Sequence, residues 1–104
     1  MTKTIFDLEA ERLEWSIKTF PLSTALSSAK KLQSETKEII ADIENGVRRP
    51  EEYADALMCL FDSGARQNPP ITPDEIFRAF EKKLEVNKNR EWNLNEDLSY
   101  SHKQ

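Results

Sequence analysis

The sequence predicts an all-α domain of four helices whose core is completed against a partner. Three observations lead there. Apolar residues recur at spacings of three and four through most of the chain, which is the period of a helix with one buried face. Only two glycines and five prolines occur in 104 residues. Two breaks, Asn45-Gly46 and Asn68-Pro69-Pro70, divide the periodic segments. A chain of this length buries a modest core alone, so a helical subunit of this size is expected to complete that core against a partner.

The first helix is expected over Ile5 to Thr19, with Phe6, Leu13, Ile17 and Phe20 toward one side and Pro21 ending it. Ser23 or Thr24 caps a second helix that runs to Asn45. Leu26, Ala29, Leu32, Thr36, Ile39, Ile40 and Ile43 share its apolar arc, and Glu35, Glu38 and Asp42 lie together on the flank of that arc. Gly46 to Arg49 connect it to a third helix, with Pro50 at the first position and Glu51 and Glu52 suited to the N-terminal dipole, running to Gln67. Most of its circumference is apolar, and a narrow polar strip holds Glu52, Asp55, Cys59, Asp62 and Arg66. Thr72-Pro73-Asp74-Glu75 opens a fourth helix that ends near Arg90 or Trp92, with Ile76, Phe77, Phe80 and Leu84 as its stripe. Residues 1–92 make the domain, and residues 93–104 lack helical periodicity and read as a C-terminal tail, mobile or laid over a neighbouring subunit.

Composition excludes several functions. A formal charge of -4 supplies no basic field for nucleic acid. No run of apolar residues suits a membrane span, and the charged N-terminus does not resemble a signal peptide. A single cysteine, Cys59, rules out an internal disulfide and a cysteine zinc cluster and fits a reducing compartment, so a cytoplasmic location is expected. His102, the one histidine, lies in the tail, and no glycine-rich phosphate loop exists.

What remains is a set of carboxylates. Glu35 and Glu38 sit three apart on the second helix, Glu52 and Asp55 three apart on the third, and a short turn brings the two pairs toward one groove. Four acids in one groove repel one another unless a cation neutralises them, and hard carboxylate oxygens suit Mg2+ or Mn2+. Such an ion leaves positions for substrate phosphates and neutralises charge developing on them. The competing reading is solvated acids pairing with Lys30, Lys31, Lys37 and Arg66. Asp42 and Asp62 extend the acidic strips by one turn and are candidates for orienting water or a basic side chain; for Asp42 a solvent-facing charge is an equal alternative. Lys83, Asn87 and Arg90 follow one another along the fourth helix and offer donors to phosphate, sugar or base, or else form an exposed face. Trp15 and Trp92 are read first as core or interface aromatics and second as base-stacking groups.

Glu35-x-x-Glu38 followed by Glu52-x-x-Asp55 resembles the signature of the MazG-like all-α nucleoside triphosphate pyrophosphohydrolases, with Ser34 where an extra glutamate is frequent. Trp15-Ser16, Thr19-Phe20, Leu60-Phe61-Asp62 with Ala65-Arg66, and Lys83 with Asn87, Arg90 and Trp92 resemble the small dATP/dGTP diphosphohydrolase branch. Pro21 and Gln67 depart from that branch, which has glycine and a second arginine there more often. The resemblance implies a MazG-like four-helix bundle, assembled as a homodimer or homotetramer. It implies that Glu35, Glu38, Glu52 and Asp55 are catalytic metal ligands and that Lys83, Asn87 and Arg90 bind substrate. It further implies hydrolysis of purine dNTPs to the monophosphate and pyrophosphate with Mg2+ or Mn2+. The alternative is an inactive helical homo-oligomer that binds nucleotide or regulates a partner protein.

Overall fold

Four helices carry the chain: α1 (Ile5–Thr19), α2 (Ala25–Glu44), α3 (Pro50–Ala65) and α4 (Pro73–Lys88), followed by two short strands, β1 (Trp92–Leu94) and β2 (Tyr100–His102). The computed structural model describes residues 2–103. They fall into two compact units, one reaching to Pro73 and one from Asp74 onward.

In the first unit each helix begins and ends where local chemistry requires it. Thr4 caps α1 through a reciprocal box with Asp7, the Asp7 amide donating to Thr4 Oγ1 at 3.1 Å and the Thr4 amide to Asp7 Oδ2 at 2.9 Å. Thr24 does the same for α2 with Ser27. At the other end of α2, Gly46 adopts φ +69°, its amide donates to the Ile43 carbonyl at 3.1 Å, and the Val47 amide donates to the Asp42 carbonyl at 2.8 Å. This paired capping satisfies the last carbonyls and turns the chain through a conformation that suits glycine. Pro50 then opens α3, whose first turn carries Glu51 and Glu52. The short connection lays α3 back along α2, and α1 packs on α3.

The interior of this unit is polar. Among the described residues no hydrophobic side chain is buried, and the buried ones are Glu9, Ser16, Ser28, Glu35 and Asp62. Leu8, Trp15, Leu57, Met58 and Leu60 all remain exposed. Three helices bring their polar strips together at the centre and leave their apolar faces outward, the reverse of a self-sufficient monomer.

The second unit differs from the sequence expectation at its end. Helix α4 stops at Lys88, and the segment expected to be a tail forms an antiparallel ribbon with Trp92 opposite His102 and Leu94 opposite Tyr100. Its loop is held by the Asn95 amide to the Ser99 carbonyl at 2.8 Å and by Asp97 Oδ1, which accepts from the Ser99 amide at 3.0 Å and its hydroxyl at 2.6 Å. Trp92 packs edge-on against His102 and donates from its indole nitrogen to the Asn87 carbonyl at 3.1 Å. Among the described residues no helix is long and apolar enough to cross a membrane.

Candidate metal centre and adjoining cavity

The turn at Gly46 decides which faces of α2 and α3 meet. With α3 folded back, Glu35 of α2 and Glu52 and Asp55 of α3 place one carboxylate oxygen each within 4.8 Å of one another. Glu35 is buried, Glu52 half-buried and Asp55 exposed, so the group opens outward from a shielded floor. Glu38 lies one turn beyond Glu35 on α2, close enough for its carboxyl to act on Glu52. Desolvation foremost, then the neighbouring Glu38 carboxyl and the charges of Glu35 and Asp42, push the Glu52 carboxyl above its ordinary range.

Three buried carboxylate oxygens in this region, Glu35 Oε2, Glu52 Oε2 and Asp42 Oδ2, have no hydrogen-bond partner. Lys31 lies 3.3 Å from the other Glu35 oxygen, and Arg49 lies 3.7 Å from Asp42 Oδ1. Surface pairing therefore occurs, but it meets only one oxygen of each. Buried anionic oxygens without donors are unfavourable, and a hard divalent cation among them removes that penalty. The residues present thus fit such an ion. Asp42 faces the cluster, not bulk water, since its charge acts on Glu52.

Two turns along α3, Asp62 is the centre of a second polar array. Its Oδ1 accepts from Arg12 Nη1 at 2.9 Å and Ser16 Oγ at 3.0 Å; its Oδ2 accepts from Ser28 Oγ at 2.6 Å and Arg66 Nε at 2.8 Å. Arg12 also grips Glu9 through Nε and, at 2.9 Å, through Nη2. Arg66 reaches the Ser23 carbonyl at 3.0 Å and Ser16 Oγ at 3.0 Å. Burial acts to raise the Asp62 carboxyl, but the donors Ser28, Arg12 and Ser16 and the charge of Arg66 outweigh it and hold it below the usual range. The expectation that Asp62 orients a basic side chain is met twice over. Glu9, Arg12 and Ser28 went unnoticed in the sequence. The available signal was Asp62 itself, an acid on a mostly apolar helix that required cationic partners.

Between these arrays lies a cavity of about 490 Å3, bounded by Trp15 and Phe20 of the α1 end, Ser28 and Lys31 of α2, and Asp55, Met58 and Asp62 of α3. Trp15 and Phe20 meet edge to face with ring centroids 5.3 Å apart. Cys59 lines the same space; burial, then the nearby charge of Glu35, raises its thiol pKa.

Lys83, Asn87 and Arg90 belong to the second unit. Lys83 is exposed, and Arg90 Nη1 donates to Asn87 Oδ1 at 3.4 Å from a position just past the end of α4.

The sequence profile of the dATP/dGTP pyrophosphohydrolase family matches residues 8–101. Among solved structures, the MazG-like pyrophosphohydrolase of cyanophage S-2L, bound to dGDP and three catalytic Mn2+ ions per active site, aligns with a TM-score of 0.78 and 25% identity. That alignment covers 99% of this chain and 100% of that one. No protein of curated function matches the sequence.

Proposed function

Because the chain belongs to the dATP/dGTP pyrophosphohydrolase family, within the MazG-like fold, we propose that it cleaves purine deoxynucleoside triphosphates between the α and β phosphates, releasing the monophosphate and pyrophosphate. Metal-dependent hydrolysis of a purine nucleotide is the activity of the family; the substrate and the residue roles are our reading. The observation that carries it is the group formed by Glu35, Glu52 and Asp55, with unpartnered buried oxygens on Glu35 and Glu52.

In this reading Glu35, Glu38, Glu52 and Asp55 hold the divalent ion, Mg2+ or Mn2+. When bound, the ion supplies electrostatic stabilisation of phosphate oxygens and favours attack by water. The chain does the rest. Glu52, whose carboxyl burial and neighbouring acids hold above its ordinary range, would be drawn to its ionised form by a bound cation. Glu35, kept in place by Lys31, fixes the floor of the cluster. The apolar walls made by Trp15, Phe20 and Met58 take the nucleoside, with Asp55 at the boundary between that cavity and the carboxylates. Lys83, Asn87 and Arg90 are assigned to the nucleotide as donors, a role resting on their side-chain chemistry.

The outward apolar faces support a homo-oligomer, a dimer or a tetramer. A cavity of about 650 Å3 on α1 and α3, lined by Ile5, Leu8, Leu57, Met58 and Phe61, is the surface we assign to a second copy. Light scattering after size exclusion tests this, and a monomer at micromolar concentration overturns it.

A panel of dNTPs and NTPs assayed for both products with Mg2+ and with Mn2+ tests the activity. Release of pyrophosphate that is lost in Glu52→Gln and Asp55→Asn is expected. Release of orthophosphate alone, or turnover in excess chelator, overturns the assignment.

A further inference from the structure

The four hydrogen bonds to Asp62 fix the sense in which one cavity hydroxyl can bond to a ligand. An ionised carboxylate is an acceptor only, and Asp62 accepts two donors on each oxygen. The protons of Ser16 and Ser28 are therefore both committed to Asp62. Each serine oxygen is left able only to accept. Ser16 Oγ already accepts from Arg66 Nη2 at 3.0 Å. Ser28 Oγ receives no donor from the described residues, and Ser28 lines the cavity floor at 8% exposure.

The other hydroxyls and the lysine of the cavity do not supply the same function, and the acceptor Asp55 belongs to the carboxylate group. Ser27 Oγ accepts from the Thr24 amide at 2.9 Å and donates to the Thr24 carbonyl at 3.1 Å, so both senses are used. Lys31 faces Glu35. The Ser23 hydroxyl is free to rotate and serves donors and acceptors alike. Ser28 is thus a fixed acceptor beside an aromatic and thioether wall built from Trp15, Phe20 and Met58, with Asp55 of the carboxylate group on the same cavity.

We propose that Ser28 is a specificity-determining residue that reads the 2-amino group of guanine, oriented as an acceptor by Asp62, so that the site favours guanine over hypoxanthine. The inference rests on the assignment of this cavity to the nucleoside. Hypoxanthine is guanine without the amine on C2, whereas the amine of adenine sits on C6, at another edge of the ring. A base without the C2 amine leaves the buried Ser28 oxygen without a donor.

Calorimetric titration of dAMP, dGMP and dIMP into the full chain reads the preference without turnover. The native protein is expected to bind dGMP about three- to tenfold more tightly than dIMP, the range of one hydrogen bond. Ser28→Ala should weaken dGMP by that factor and leave dIMP and dAMP unchanged, while Ser28→Thr, which keeps the hydroxyl, should retain the order. Equal binding of dGMP and dIMP by the native protein overturns the proposal, and so does equal weakening of all three ligands in Ser28→Ala. If Ser28→Ala does not fold, the native comparison and Ser28→Thr still decide. A chain that shows the binding order yet hydrolyses no triphosphate refutes the proposed reaction and leaves Ser28 as the base reader; hydrolysis without the order refutes only the latter.

Discussion

Arg66 Nε lies 2.8 Å from Asp62 Oδ2, one turn back on the same helix, while the remaining guanidinium nitrogens reach the backbone of Ser23 and Ser16 in other segments. What looks in sequence like an ordinary surface pair four apart is a clamp on three helices, since Asp62 also receives Ser28 of α2 and Arg12 of α1.

Asp62→Asn should therefore be severe. The substitution takes the carboxylate from Arg66 and leaves Arg12 only Glu9, each arginine having about 11% of its side chain exposed. Breaking a buried pair on one side costs about 3–5 kcal/mol, so the urea midpoint should fall steeply. The pH dependence carries a sign. With its folded pKa held below the ordinary 3.8, Asp62 stabilises fully above that value and loses its contribution as pH falls through the lowered one. Acid titration of stability should show that loss in the native protein and not in Asp62→Asn.

Glu52 behaves in the opposite sense. Its carboxyl is raised above 4.5 in the folded chain, so without cation stability declines as pH climbs from 4.5 through the raised value. Thermal melts should show Mn2+ or Mg2+ raising Tm at pH 7 and raising it less at pH 5, where protons compete for the same oxygens. Glu52→Gln should remove most of that ion-dependent gain. An equal gain at both pH values would count against a carboxylate site.

Cys59 should be a slow nucleophile. Burial first, and then the Glu35 charge, raise its thiol pKa above 9.0, leaving little thiolate at pH 7. Alkylation by iodoacetamide should be slower than for free cysteine and faster in Glu35→Gln.

At Gly46 the cost of a side chain is conformational alone, because a Cβ there would meet nothing within 4 Å while φ is +69°. Gly46→Ala should lose about 1–2 kcal/mol in chemical denaturation, and Gly46→Asn less.

The helical architecture was legible because caps and breaks are local. Ile5 to Thr19, the Thr24 cap and the Asn45-Gly46 stop follow from residues within a turn of each boundary. The convergence of Glu35, Glu52 and Asp55 was legible for a similar reason, since three-residue spacing and a short turn place them together without long-range knowledge. Two things were hidden. The ribbon at 92–102 has three-residue strands exposed on both faces, so no alternation of hydropathy marks it. Glu9 and Ser28 are buried and Arg12 half-buried, with partners as many as 50 positions away, and sequence does not distinguish a shielded ion pair from a solvated one.

The polar interior of the first unit also governs how variation in this chain will read. Substitutions at Glu9, Ser16, Ser28, Glu35 or Asp62 act inside one subunit, whereas changes at Leu57, Met58 or Phe61 are felt at the surface assigned to another copy. A survey of variants scored at low and high protein concentration should accordingly separate into two groups. The acids and serines form the concentration-independent group, and the hydrophobic residues form the group that dilution exposes.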